Sequence, residues 1–443
     1  PYTTWRCEKP FPERTCVFEN LYFAKGILNP HTTKARYSVI VPPGRSPDEM
    51  ADLRKSLRMH QGARSSWDGT ATTEWTPLVF AMPKRELWAK FTSVKVVEKL
   101  HIWIMRAHSG NIGHTLYDDF APIYQSVVMD LGISEDELRS AQMLSNDPGE
   151  GWKRALFAKR VLQTHEGMQP DTCPLLFKDL THLVKQGESA LIMSRLVSGF
   201  GSRAGHTFTR DYAASGHEKH AYAHFRRYLL GSYKVEPAEG MNATTTSFTR
   251  RKVPKGEKPN MVLLLKPDKR RWMNSGDMHA AAVKEFPAWN VETLMWHQLP
   301  SYRAEVIKLQ TIDILVSADG TGAMNSVFLP PGSVLIALGH YLGQPARDWF
   351  ATISAKPNLY GPDHYGVLAD FIYNAYTHVK VLYYSNHCSR SAWNEKDANV
   401  FTDQTAFIDA LHSAVQRWEA RYSLPISGLG NYNPRGVQCR TLF

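Results

Sequence analysis

The sequence predicts an α/β protein of two doubly wound domains that face a cleft. Three observations carry that expectation. At 443 residues the chain exceeds what one ordinary core organises and suits two. From Met261 onward, apolar strand-like runs alternate with stretches of helical period, the rhythm of parallel βαβ crossovers. The run from Thr311 to Leu338 reads as a buried strand, a glycine-punctuated turn, a short helix, a Pro-Pro-Gly turn and a second strand, the local build of a nucleotide-binding half-domain.

The first domain is expected over 1–233. Cys16 to Phe23 and Tyr37 to Val41 are β-branched and aromatic runs that read as strands, whereas Ser46 to Thr76 is polar and without pattern. Leu100 to Met105 reads as a strand. It leads through a glycine-containing loop into a helix whose apolar face is Leu116, Phe120, Ile123, Val127 and Leu131. A helix at Gly151 to Leu162, a strand at Ala190 to Val197 and a helix holding Phe225 to Leu230 follow. A linker rich in Lys, Gly, Pro and Thr is expected at 234–260.

The second domain is expected over 261–402. Met261 to Lys266, Asn290 to Met295, Ile312 to Ser317 and Val334 to Leu338 read as strands, with helices at Asp277 to Glu285 and Tyr302 to Gln310. A last helix, Asp403 to Tyr422, opens a segment 403–443 expected to pack back on the first domain.

Composition narrows the function. The net charge of +10 favours anionic ligands without naming one. The aromatic residues lie mostly in apolar runs, where core packing is the default, so no nucleic-acid partner is expected. No uninterrupted apolar stretch of bilayer-spanning length occurs, so membrane association is expected only through an N-terminal anchor ahead of Pro1. Cys7 and Cys16 flank Pro10 and Pro12 and can close a small loop in an oxidising compartment, and Asn242-Ala-Thr244 is a glycosylation pattern. Both point to the secretory lumen, the Golgi or endoplasmic reticulum.

The motifs are more specific. Asp319-Gly-Thr-Gly-Ala-Met-Asn325 and Val327-Phe-Leu-Pro-Pro-Gly-Ser333 resemble the His-Gly-Ala-Gly-Leu-Thr-Asn and Phe-x-Pro-Pro-Gly-Ser signature of glycosyltransferase family 61. Cys16-Val-Phe-Glu-Asn-Leu21 resembles the segment that begins many members, and Asn111, His114 and Asp118 or Asp119 match the polar positions of the family's Asn-x-x-His-x-x-x-Asp. The resemblance implies a GT-B fold, with an acceptor-side first domain and a nucleotide-sugar-binding second domain. It implies an inverting transfer of a sugar from a nucleotide donor, a UDP-sugar, to a hydroxyl of a glycan or glycoprotein. No tightly bound cofactor and no metal is expected, in keeping with the lack of any Asp-x-Asp pair.

On the donor side the resemblance matches Lys266, Arg270 and Asn274 to the family's basic, Arg and Asn positions, and Glu305 to an acidic one. Cations after a parallel strand suit phosphate recognition. Gly320, Gly322 and Asn325 would form the turn that faces it. Asp319 stands where the family usually has His, and a carboxylate there repels a diphosphate by about 1 kcal/mol or more unless a cation intervenes. The alternative reading is a catalytically inactive relative that serves as a binding or structural subunit of a larger assembly. On the acceptor side His114, Asp118 and Asp119 are the candidate general bases, His114 and Asp118 sharing a helix face. His217, His220 and His224 share a face too, and read as a polar helix surface rather than a metal site.

Overall fold

The computed structural model describes residues 1–11, 14–25, 35–60, 74–104, 113, 115–145, 190–200, 221–237, 252–267, 271–318, 320–338, 379–384 and 399–420. The chain forms two compact units, Pro1–Thr207 and Phe208–Phe443. That division falls ahead of the linker expected at 234–260.

The first unit is built on a seven-stranded sheet. Its strands are β1 (Thr4–Glu8), β2 (Thr15–Lys25), β3 (Ala35–Val41), β6 (Leu78–Ala81), β7 (Val94–Ile104), β8 (Gln142–Ser145) and β9 (Ala190–Ser198), while β4 (Met59–His60) and β5 (Glu74–Trp75) pair separately. The order is β6-β3-β2-β9-β7-β8, with β1 added against β2. The doubly wound parallel sheet expected here is replaced by a mixed one. β2 runs antiparallel to β1, β3 and β9, whereas β3–β6, β7–β8 and β7–β9 are parallel. A disulfide between Cys7 and Cys16 closes the β1–β2 hairpin at a directly paired position.

The segment from Ser46, patternless to the eye, holds the helix Pro47–Ser56. The Ser46 side chain accepts from the Glu49 N–H while the Glu49 carboxylate accepts from the Ser46 N–H, and Pro47 occupies the first turn. The amphipathic stretch after Gly113 is helical, but its first and last turns, Thr115–Phe120 and Gln125–Asp130, are wound as π-helix around the α-helical Ala121–Tyr124. Leu116, Phe120, Ile123, Val127 and Leu131 are buried, as their spacing predicts. The helix expected at Gly151 to Leu162 lies outside the described residues.

The second unit is the doubly wound sheet the sequence predicts. Its five strands, β10 (Asn260–Leu264), β11 (Asn290–Leu294), β12 (Ile314–Ala318), β13 (Val334–Leu338) and β14 (Lys380–Tyr384), are all parallel in the order β11-β10-β12-β13-β14. The helix Ser275–Glu285 connects β10 to β11 and Tyr302–Leu309 connects β11 to β12. Because these crossovers travel in opposite directions along the sheet, right-handedness puts them on opposite faces. Strand residues facing each way, Met261, Leu263, Ile314 and Val316 on one side and Val262 and Leu315 on the other, are fully buried.

The C-terminal helix Gln404–Glu419 buries Phe407, Ala410, Leu411, Ala414 and Trp418 in the core that Met261, Ile314, Val334 and Ile336 form in the second unit. Asp403 caps its start by accepting from the Ala406 N–H. Trp418 near its end donates its indole N–H to buried Asp313, whose other oxygen accepts from the Asn260 N–H at the start of β10. One carboxylate thereby ties β10, the approach to β12 and the last helix together.

The helix Ala221–Ser232, assigned by sequence to the first domain, belongs to the second unit. Its Arg226 is wholly buried and donates through Nη2 to the Gln310 side chain, which in turn donates to the Phe328 carbonyl. Among the described residues Nε and Nη1 of Arg226 meet no acceptor, and burial pulls its pKa down to about 9.

Two stability measurements follow. Asp313→Ala leaves two buried donors without an acceptor and lowers the stability of the second unit by about 2–3 kcal/mol, read as an earlier urea transition. Arg226→Met replaces a buried, half-satisfied cation by an apolar side chain of similar length. It is expected to stabilise the protein by about 1–4 kcal/mol in the same assay.

Candidate functional site at the carboxyl edge of the second sheet

In an open parallel sheet, ligands bind beyond the carboxyl ends of the strands where the winding changes direction. Here that point lies between β10, which leads toward β11, and β12, which leads toward β13. The two loops that leave it carry the predicted donor residues. Lys266 follows β10 by two positions, and Gly320 follows β12 by two.

The glycines of the second loop have separate reasons. Gly320 adopts φ 122 and ψ −170, a conformation that a side chain resists, and its carbonyl accepts from the Ala323 N–H to start the single turn Thr321–Met324. Gly322 is needed for proximity. A Cβ at that position would lie 3.3 Å from Lys266 Cε and 3.7 Å from both Trp296 Cδ1 and Nε1. The Trp296 indole N–H also donates to the Gly322 carbonyl at 3.0 Å. The lysine stem after β10, the tryptophan after β11 and the glycine turn after β12 therefore meet at one point.

Asn325 and Glu305, predicted to serve the donor site, are brought together at the end of the turn. Asn325 is 1 % exposed. Its Nδ2 donates to Glu305 Oε2 at 3.2 Å and its Oδ1 accepts from the Tyr302 hydroxyl at 3.0 Å. Tyr302 packs edge-on against Tyr233 and Phe328. Burial first, then the neighbouring Tyr228 and Glu305, drive the Tyr233 hydroxyl far above the usual phenol range, so it stays a neutral donor.

Asn274 is placed differently from expectation. Its Nδ2 donates to the Thr402 carbonyl at 2.7 Å and its Oδ1 accepts from the Thr402 N–H and hydroxyl. The amide is turned toward the segment that precedes the C-terminal helix and ties the basic loop to it. The same seam includes a parallel bridge between Trp272 and Val400, the Met273 N–H to Val400 carbonyl bond, and the buried Trp272 indole N–H donated to the Thr402 hydroxyl. Arg271 is exposed beside it and donates its backbone N–H to Asn399 Oδ1.

Arg270, Asp319 and His114 lie outside the described residues, as do His217 and His220. Asp118 and Asp119 fall on the π-helical turn Thr115–Phe120 of the first unit, a geometry frequent at functional sites. Trp296 was missed by the sequence reading. Its one sequence signal is its place two positions after a parallel strand at the ligand-binding edge.

A family model described as Glycosyltransferase 61 matches residues 72–336, more than half of the chain. No curated protein matches it. The matched span runs from the first unit through the glycine turn and the Pro-Pro-Gly turn to the middle of β13.

Gly320→Ala is expected to cost about 1–3 kcal/mol through backbone strain alone. Thermal unfolding checks this, and an unchanged melting temperature would mean the turn relaxes into an ordinary conformation.

Proposed function

The chain belongs to glycosyltransferase family 61, and we propose that it transfers a sugar from a UDP-sugar to a hydroxyl of a glycan or glycoprotein with inversion at the anomeric carbon. The observation that carries the donor half is the meeting of Lys266 with the Gly322 turn at the switch point of a parallel sheet. An ammonium held beside a turn that is free of side chains suits a diphosphate, which needs positive charge and close approach of backbone.

In this proposal the second unit holds the nucleotide, with Lys266 and Arg270 neutralising the phosphates. Asn325 and Glu305 hold the turn rather than touch the sugar, since each is already engaged with the other. The first unit supplies the acceptor side in a GT-B-type division of labour. Inverting displacement needs one base to take the acceptor proton while the sugar–phosphate bond breaks and UDP leaves with its charge neutralised. His114, assisted by Asp118 or Asp119, is the proposed base. No metal is required in this scheme, because lysine and arginine carry the countercharge. The Cys7–Cys16 disulfide supports residence in the secretory lumen, and among the described residues no helix is long and apolar enough to cross a membrane.

Asp319 favours a second reading, a relative that has lost transfer and acts as a binding or structural subunit of an assembly. One experiment separates the two. Calorimetric titration with UDP and UDP-sugars, with and without Mn²⁺, is run on the wild type and on Asp319→His. Binding by the wild type without metal is the expected result. Binding that appears only after the histidine is restored would establish the second reading.

A further inference from the structure

Two cations, one on β1 and one just past it, contact the end of the helix that bears Asp118 and Asp119. That helix runs over 115–130 and closes with the π-helical turn Gln125–Asp130, after which Gly132 turns the chain at φ 67. The last carbonyls of a helix lack an intrahelical partner, and the negative end of its dipole lies there. Arg6 donates through Nη2 to the Leu131 carbonyl. The Lys9 ammonium lies 3.5 Å from Asp130 Oδ1, a carboxylate that adds charge of the same sign to that end. Glu8 Oε1 holds the other arm of the Arg6 guanidinium at 3.1 Å.

Strand alternation sets Arg6 on the face of β1 opposite Trp5 and Cys7, which pack against the core of the unit. Among the described residues β1 pairs with β2 alone. Its amino end has further ties, since Thr3 exchanges hydrogen bonds with Ile40 and donates to the Asn20 carbonyl. The carboxyl end, near Arg6 and Lys9, has the Cys7–Cys16 disulfide. Cys16 is wholly buried on β2, paired with Cys7 on one side and with Ser198 of β9 on the other. A π-helical turn has a ready alternative in the α-helix, so the contacts at its ends decide which winding persists. We infer that Arg6 and Lys9 cap the acceptor-side helix and that the Cys7–Cys16 bond holds this cap in place, which makes the winding of residues 115–130 sensitive to thiols. In the reductive step a dithiol gives two electrons to the Cys7–Cys16 bond, the S–S bond breaks, each sulfur takes one proton, and the dithiol closes to its own disulfide. The helix serves the acceptor only if the reading above holds, whereas its coupling to the disulfide stands without it.

Hydrogen–deuterium exchange of the full chain reads the coupling without any substrate. Wild type and Arg6→Met/Lys9→Met are compared with the disulfide intact and after dithiothreitol, and Cys7→Ser/Cys16→Ser is the form that lacks this bond alone. In the wild type, loss of the bond should speed exchange over residues 115–131 about tenfold. The cation variant should exchange fast there already, and loss of the bond should add less than about twofold. Wild-type protection in the oxidised cation variant, equal factors in both backgrounds, or acceleration spread evenly over β2, β7 and β9 would each overturn the inference. If the serine form does not fold, exchange followed in time after dithiothreitol is added to the folded wild type takes its place, and opening that begins outside 115–131 would overturn the inference. Coupling in a chain that transfers no sugar would uphold the inference and remove the acceptor reading alone.

Discussion

A parallel strand reaches its neighbour only by a crossover, and crossovers are right-handed. In the second unit this constraint acts on a chain whose second strand pairs to one side of the first and whose third pairs to the other. The two connecting helices must then take opposite faces. At the carboxyl edge, where the winding changes direction, the chain places Lys266, Trp296 and the Gly320–Gly322 turn. Below that edge the sheet is held by Asp313, which joins β10 to the last helix. Beside the edge Tyr302 and Glu305 hold buried Asn325 at the end of the turn. The candidate site is therefore a consequence of strand order, and the polar residues around it are the means by which that order is kept.

The side chains divide by task in a way their identities alone do not reveal. Asn274, Asn325 and Glu305 look like ligand groups, and each is also hydrogen-bonded to a partner within the unit. The Lys266 stem lies against the Gly322 turn, which brings a cation to the carboxyl edge of the sheet. Preorganisation of this kind matters because a charge that is already aimed costs no reordering when the ligand arrives.

Much of the second unit was legible in the sequence. Its strands are short apolar runs bounded by turn residues, and each crossover is local, so the boundaries of β10 to β13 fall within two residues of expectation. The first unit was not legible in the same way. β2 and β9 pair antiparallel across a long separation, and a strand buried on both faces reads alike whichever way its neighbour runs. Helical spacing placed the buried face of the Leu116–Leu131 stretch correctly but gave no hint of its π-helical turns, since the apolar offsets serve either winding. The Ser46–Glu49 capping box was present as a signal and overlooked in polar sequence. Arg226 shows the converse case. Nothing in a helix period reveals that its partner is Gln310, and that contact draws the helix into the second unit.

Hydrogen–deuterium exchange of the wild type with and without saturating UDP tests the central claim most directly, because it locates the nucleotide without any substitution. The account predicts slowed exchange in the peptides that span the loop after β10 and the turn from Gly320 to Asn325, with the core strands unchanged. Protection confined to the first unit, or exchange that UDP leaves unaltered throughout, would contradict it.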